Sequence, residues 1–207
     1  MAMRIITGKA KGKRLATLGG DTTRPTSERI KEALFSSLQF DIENRRVLDL
    51  FAGCGQLGLE ALSRGAASCM FIDSSREAME VIKKNAVTTG LSAGCRYLVS
   101  DCKNYVRKAG GRERFDLILI DPPYDAMCAT DVMLRCIRAG IAAPGAIFVL
   151  ECGEERPDKT LPEFSSLECL KENFYGKKTA LYIFLYRPGN SGADSGESKD
   201  KNDLEAE

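Results

Sequence analysis

The 207-residue sequence contains neither histidine nor tryptophan. Without histidine, a hydrolase of the Ser-His-Asp or Cys-His kind is excluded in its ordinary form. A general base that works near neutral pH must then be a carboxylate, a lysine, a tyrosine or a cysteine. The composition therefore favours chemistry that needs little base catalysis and obtains most of its rate from positioning.

Metal, disulfide and membrane signals are also missing. The eight cysteines are scattered without a C-x-x-C pair, and with no histidine beside them they do not predict a zinc site. No apolar segment has the length or place of a signal peptide or a membrane span. We therefore expect a cytoplasmic monomer without metal or membrane partners, whose thiols stay reduced.

Charge is nearly balanced over the whole chain, at +1, but it is unevenly distributed. Residues 1–31 carry eight cations against two acids, and residues 188–207 carry six acids against two lysines. A basic segment of this kind is typical of contact with phosphates, although it can also be ordinary soluble surface. We expect a peripheral basic arm or hairpin at 1–25, one domain at 26–187 and a disordered acidic tail at 188–207.

Apolar runs and helical stripes alternate through the central part of the chain, which predicts a parallel sheet covered on both faces. Two β-rich runs at 166–175 and 179–186 then predict an antiparallel hairpin. The expected fold is α/β, a Rossmann-like doubly wound, mostly parallel seven-stranded sheet closed by that hairpin, with a small basic N-terminal extension. In a helix starting near residue 26, Ile30, Leu34 and Leu38 form the apolar stripe, and Lys31 falls on the charged rim.

The sequence Gly53-Cys54-Gly55-Gln56-Leu57-Gly58 fits the G-x-G-x-x-G turn, with an apolar strand before it and a helix after it. Asp73 follows the glycines at the spacing of an acid that reaches ribose hydroxyls. Gly53 and Gly55 would let the backbone approach a ligand, although such a turn can also be an ordinary loop. The pattern predicts a nucleotide-like cofactor without separating NAD from S-adenosylmethionine.

Two further acids follow predicted strands. Asp49 could meet the amino-acid end of a sulfonium cofactor or could simply end its strand. Asp101 could accept from an adenine amino group while the Cys102 N–H donates to a ring nitrogen. Asp101 could equally cap the helix that starts near Cys102, and the two roles can coexist.

Asp121-Pro122-Pro123-Tyr124 follows the apolar run Phe115 to Ile120. The lone pair of an exocyclic base amine is delocalised into the ring, so an enzyme that methylates it must accept its N–H hydrogens and hold the ring in place. Asp121 and a carbonyl of the proline pair can accept, and Tyr124 can stack on the ring. D-P-P is also good turn chemistry after any strand.

With these motifs the chain resembles the bacterial 16S ribosomal RNA guanine-N2 methyltransferases of the RsmD type. The resemblance runs from Met3 to about Tyr186 and is carried by Arg4–Gly8, Arg24-Pro25-Thr26, Asp49–Gly53 with Gly55, Leu57–Ala66 and Asp121–Tyr124. Cys54, Gln56 and Ser36 depart from the family pattern, which puts cofactor contacts or packing in doubt but removes no reacting group.

The resemblance implies methyl transfer from S-adenosylmethionine to the exocyclic N2 of a guanine of the 966 type in 16S rRNA, as free RNA or in the 30S particle. It makes Asp121, Pro122, Pro123 and Tyr124 the catalytic group. The implied cofactor site comprises Asp49, Phe51, Ala52, Gly53, Gly55, Gly58, Asp73, Ser74, Asp101 and Cys102. The implied RNA contacts are Lys9, Lys11, Lys13, Arg14, Arg24 and Arg29.

Other interpretations keep parts of this picture. A DNA adenine amine or a protein glutamine amide could replace the guanine, because the Asp121–Tyr124 motif suits all three planar nitrogens. The chain could also be a non-catalytic RNA-binding assembly factor, although intact glycine and Asp121 motifs argue against this. An NAD dehydrogenase is disfavoured, because no hydride-transfer couple is visible.

Overall fold

Strands and helices alternate along the computed structural model, which describes residues 3–18, 25–123, 126–176 and 179–189, with side chains of the first helix from residue 28. The helices and strands are α1 (Pro25–Ser37), β1 (Arg46–Asp49), α2 (Gln56–Ser63), β2 (Ser68–Asp73), α3 (Arg76–Thr89), β3 (Cys95–Val99), α4 (Cys102–Ala109), β4 (Phe115–Ile120), α5 (Ala129–Arg138), β5 (Ala142–Cys152), β6 (Leu167–Tyr175) and β7 (Thr179–Tyr186). Arg24, Tyr124 and residues 190–207, which include most of the predicted tail, lie outside the described residues.

All seven strands form one sheet in the order β3-β2-β1-β4-β5-β7-β6. The first five are parallel, and β7 runs antiparallel to both of its neighbours. After β3 the chain returns to the other side of β1, so the strand order reverses between β1 and β4. This arrangement confirms the predicted α/β fold and puts the topological switch point, where such sheets bind ligands, at the ends of β1 and β4.

Helices cover both faces of the sheet because its central strands are apolar on both sides. Val47 and Leu117 pack with α1, α2 and α3, whereas Leu48 and Ile118 pack with α4 and α5. This continuous apolar character is typical of parallel strands buried between two helical layers. Among the helices of the described ranges, none combines the length and the apolar character needed to cross a bilayer.

The N-terminal extension is a short hairpin that packs against α2. The Ile5 N–H donates to the Lys13 oxygen at 2.9 Å, and the Ile5, Ala10 and Leu15 side chains lie in the core. Buried Glu60 of α2 accepts the backbone N–H of the two residues that follow Ile5. Of the two expected forms, arm or hairpin, the described residues take the hairpin form, and apolar side chains with buried acceptors on α2 hold it in place.

The buried side-chain amide of Asn85 links this hairpin to the glycine turn. The Asn85 side chain of α3 accepts the Ala16 N–H at 2.8 Å and donates to the Ala16 and Cys54 oxygens, both at 2.9 Å. Asn85 is 1% exposed, so each of these hydrogen bonds satisfies a group that water does not reach. The hairpin and the turn therefore have a common attachment point.

Candidate active site

Five acids lie along the carboxyl edge of the five parallel strands, each within two residues of the end of its strand. In sheet order they are Asp101, Asp73, Asp49, Asp121 and Glu151. All five line one cleft of about 520 Å³. Because parallel strands present their carboxyl ends at the same edge, residues far apart in sequence meet in one site.

The glycine turn forms one wall of this cleft. Gly53 and Gly55 have φ of 54° and 81°, and α2 begins directly after Gly55. The Gly53 N–H donates to Asp73 Oδ2 at 2.9 Å, and Asp73 Oδ1 accepts the Ser75 N–H at 2.8 Å. Asp73 therefore fastens the turn to the end of β2 while its partly exposed carboxylate still faces the cleft.

Two glycines of the predicted cofactor set lie outside the lining of the cleft. A Cβ on Gly58 would lie 2.4 Å from a ring carbon of Phe71 and 2.6 Å from the Cys69 sulfur, so only glycine lets α2 pack this closely on β2. A Cβ on Gly55 would lie 3.1 Å from Ile82. Gly55 and Gly58 therefore shape the turn and its packing, whereas four other residues of the predicted cofactor set, Phe51, Ala52, Gly53 and Ser74, line the cleft.

Asp49 is a carboxylate with one unused oxygen. It is 1% exposed, its Oδ2 accepts the Gly58 N–H at 3.1 Å, and its Oδ1 is buried without a hydrogen-bond partner in the described part of the chain. Burial, with added repulsion from Asp73, raises the pKa of Asp49 to about 7 against the opposing effect of the Gly58 and Phe51 backbone N–H groups, although the Phe51 N–H forms no hydrogen bond to Oδ1 at normal geometry. A buried acceptor without a partner on a cleft wall fits a donor that arrives with a ligand.

Asp101 caps α4, because its Oδ1 accepts the Asn104 N–H at 3.0 Å. The cap that the sequence suggested is therefore present, and the same exposed side chain lines the cleft next to Cys102. Burial raises the pKa of the Cys102 thiol to about 11, so this cysteine stays protonated near neutral pH. It can contribute its backbone N–H to a ligand but is not an activated nucleophile.

Asp121 follows β4 at the switch point, next to Asp49. Burial, together with repulsion from Glu151 and then Asp49, raises the pKa of Asp121 well above its ordinary value. Pro122 is buried and Pro123 is exposed, and both line the cleft. An acid in this setting gains from any ligand that brings hydrogen-bond donors. The described residues contain no cluster of three or more acids and cysteines suited to a metal ion.

The family model described as conserved hypothetical protein 95 matches residues 3–184. Ribosomal RNA small subunit methyltransferase D of Escherichia coli strain K12 is 32% identical over 193 residues, which cover 93% of this chain and 94% of that relative. This chain belongs to the methyltransferase D family.

Solved structures agree with this assignment. The structure of yhhF from Escherichia coli is 28% identical and has a TM-score of 0.79, covering 90% of this chain and 99% of that one. SMU.776, solved in complex with SAH, is 13% identical with a TM-score of 0.64, covering 77% of this chain and 49% of that chain. At that identity SMU.776 supports the fold alone.

Two charged residues of the cleft, Lys31 and Glu151, are not among the site residues predicted from the sequence of this family member. Glu151 could have been found, because it follows the apolar run Ala146–Leu150 in the way that Asp121 follows β4. Lys31 could not have been found in this way, because the apolar stripe of α1 predicts that the Lys31 side chain is exposed. The structure buries Lys31 to 3% exposure under the hairpin, where its Nζ donates to the Arg4 oxygen at 2.7 Å.

The predicted RNA-binding cations of this methyltransferase D relative lie on the hairpin and on α1. Lys9, Lys11, Lys13, Arg14 and Arg29 are all exposed. None of them forms an ion pair with a carboxylate of the described residues. The hairpin contributes Met3 to the cleft lining, and the segment that follows the hairpin contributes Thr17. The cations of the hairpin therefore belong to an element that borders the site.

Proposed function

We propose that this chain transfers a methyl group from S-adenosylmethionine to the exocyclic N2 of a guanine in the 16S rRNA of the small ribosomal subunit. The observation that carries the proposal is the position of Asp121 at the switch point, in the same cleft as the glycine turn and Asp49. Membership of the methyltransferase D family supports ribosomal RNA as the substrate. We assign the chemistry to residues 26–187, RNA contact to the 1–25 extension, and the activity to the cytoplasm.

The cleft contains groups that match each part of the cofactor. Asp49 Oδ1 is a buried acceptor for the ammonium, Asp73 faces the cleft for the ribose hydroxyls, and Asp101 with the Cys102 N–H suits the adenine. Bound there, S-adenosylmethionine supplies a methyl group on a sulfonium sulfur, which needs no acid to leave as a thioether. The protein therefore has to orient the acceptor rather than activate the donor.

On the acceptor side, Asp121 accepts a hydrogen bond from one amine N–H, and a backbone carbonyl of Pro122 or Pro123 accepts the other. The amine nitrogen would use its lone pair for the new N–C bond and would release one proton, which Asp121 would accept, while the S–C bonding pair would stay with the departing thioether. The raised pKa of Asp121 suits this last step, because burial and Glu151 make proton uptake favourable. Tyr124, outside the described residues, is the proposed stacking partner of the ring.

The exposed cations of the hairpin provide the RNA contact. A guanine within folded RNA must leave its stack before its amine reaches Asp121, at a cost of a few kcal/mol. Phosphate contacts by Lys9, Lys11, Lys13 and Arg14 would offset this cost without reading sequence. Arg29 of α1 extends the same proposed surface, and Arg24, outside the described residues, is a further proposed RNA contact.

Methyl transfer from labelled S-adenosylmethionine tests the proposal. The acceptors are 30S particles, naked 16S rRNA and DNA, all from cells that lack this protein, followed by nucleoside mass analysis and mapping of the labelled position. We expect N2-methylguanosine at one position of 16S rRNA. Label in DNA adenine, or SAH binding without any RNA label, would replace the proposal with one of the alternatives above.

An Asp121→Asn variant tests the assigned role in the same assay, with Glu154→Gln, an exposed acid close to the same sheet edge, as the control. We expect Asp121→Asn to lose at least about a hundredfold in turnover, the lower range for general acid–base groups, with SAH affinity retained. Turnover close to wild type in this variant would remove Asp121 from the mechanism.

A further inference from the structure

Five charged side chains meet where α1, α2 and the hairpin pack together beside the cleft. They are three cations and two carboxylates, Arg4, Lys31, Arg64, Glu28 and Glu60. Arg4 pairs with Glu28 at 3.3 Å, and Arg64 pairs with Glu60 at 2.8 Å. Each carboxylate therefore already has a cation, and Lys31 is the charge in excess.

Glu60 has little capacity left for Lys31. Its two oxygens accept the Ile6 N–H at 2.7 Å, the Thr7 N–H at 3.0 Å and the Arg64 Nε at 2.8 Å. Lys31 Nζ lies 3.9 Å from Glu60 Oε2, beyond hydrogen-bonding distance. The hydrogen bond that Lys31 does form, to the Arg4 oxygen at 2.7 Å, uses one of its three N–H donors.

The position of Lys31 directs this excess charge toward the cleft. Its side chain lines the cleft with Ile30 and Leu34, and it is close enough to Cys54 of the glycine turn to lower the pKa of that thiol against the dominant effect of burial. Burial lowers the pKa of Lys31 itself, so an anion in the cleft would stabilise its charged form. On another wall of the same cleft, Asp49 presents its unpartnered Oδ1.

We propose that Lys31 binds the α-carboxylate of the S-adenosylmethionine amino-acid end, while Asp49 accepts its ammonium. A cation and a buried acceptor in one cleft complement a zwitterion, and the amino-acid end is the zwitterionic part of this cofactor. The inference rests on the proposed function, because it assumes that the cleft takes this cofactor. It assigns Lys31 a role beyond the attachment of α1 to the hairpin.

Three adenosine ligands distinguish the contribution of the carboxylate to binding from that of the rest of the cofactor. S-adenosylhomocysteine has both the carboxylate and the amine, its decarboxylated analogue has only the amine, and 5′-methylthioadenosine has neither. Their affinities are measured by titration calorimetry on the full chain for wild type, Lys31→Met and Lys31→Arg. Lys84→Met is the control, because it removes an exposed cation of α3 that does not line the cleft and leaves Glu60 paired with Arg64.

We expect Lys31→Met to weaken S-adenosylhomocysteine roughly 10- to 150-fold, the range of a hydrogen bond to a charged group. The two ligands without a carboxylate should change less than about threefold, the Lys31→Arg variant should recover part of the loss, and Lys84→Met should keep the wild-type preference. An equal loss for all three ligands, or no loss for any, would overturn the proposal and leave Lys31 a structural role.

Wild type alone also tests the inference if Lys31→Met fails to fold. It must prefer S-adenosylhomocysteine over the decarboxylated analogue, and equal affinities would overturn the proposal. If wild type binds none of the three ligands, the proposed function itself fails, which is a different outcome from a lost preference.

Discussion

Asp49 Oδ2 accepts a hydrogen bond from the Gly58 N–H at 3.1 Å, which joins the end of β1 to the first turn of α2. With Oδ2 used in this contact, Asp49 Oδ1 remains buried at the cleft. The donor, Gly58, is also the glycine that packs against Phe71. The position of the ligand-binding acid and the packing of the helix are therefore coupled.

Asp49→Asn should change stability in a pH-dependent way. The pKa of Asp49 rises from 3.8 to about 7 on folding, so between these values the unfolded chain loses the proton first. Wild-type stability therefore falls as pH rises through this window, by at most about 4 kcal/mol. Because asparagine cannot ionise, thermal unfolding should show the variant gaining on wild type between pH 5 and pH 8.

Asp116→Asn is the control for this experiment, because the Arg46 guanidinium lowers the pKa of Asp116. This pKa shift has the opposite sign to the shift of Asp49. That variant should lose stability at both pH values, since the wild-type contribution is present above the unfolded pKa. An Asp49→Asn difference that is the same at pH 5 and pH 8 would show that burial does not hold the Asp49 proton.

Gly58→Ala should destabilise the protein, although alanine in place of glycine usually favours a helix. The added Cβ would collide with the Phe71 ring and the Cys69 sulfur, and overpacking of this kind costs about 1 to 3 kcal/mol. Urea unfolding measures the change. In a double-mutant cycle, Phe71→Leu should relieve part of the collision, whereas strictly additive losses would place the strain elsewhere.

Glu151→Gln should move the acidic limb of the pH–rate profile. Repulsion from Glu151 is the second cause, after burial, of the raised pKa of Asp121, and the proposed active form of Asp121 is the carboxylate. Removing the charge lowers that pKa, so activity should persist to lower pH. The measurement is kcat/KM for methyl transfer between pH 5.5 and 8.5, with Glu154→Gln as control, and an unmoved limb would refute the coupling.

Charge reversal of Lys11, Lys13 and Arg14 together should weaken RNA binding and its dependence on salt. Each lost phosphate contact reduces the slope of log K against log salt by roughly 0.7 to 0.9. The slope of the triple variant should therefore be smaller than that of wild type by about 2. Filter binding to 16S rRNA at several salt concentrations gives the slope. Reversal of the exposed Arg107, Lys108 and Arg112 is the matched control. Equal slopes for the two triple variants would assign the RNA contact to another surface.

Much of the site could be predicted from sequence because its signals are local. The glycine turn, Asp73 and Asp121 each sit directly after an apolar run, and a strand followed by a polar residue at its carboxyl end is visible in a short window. Glu151 has the same signal and was overlooked. Gly58 was assigned to the cofactor, but its neighbours Phe71 and Cys69 are visible only when α2 lies on β2.

The order of strands and helices along the chain, the glycine turn and the acids that follow the strands could all be read from sequence, because each depends on residues that are close along the chain. Which polar groups lose their contact with water depends instead on how the helices, the hairpin and the sheet pack together. The hairpin and Glu60 cover Lys31, although the apolar pattern of α1 predicts that this side chain is exposed. The folded end of β1 leaves Asp49 with an unpartnered oxygen and a raised pKa. Desolvation depends on what packs over a group, and here the covering residues come from distant parts of the chain.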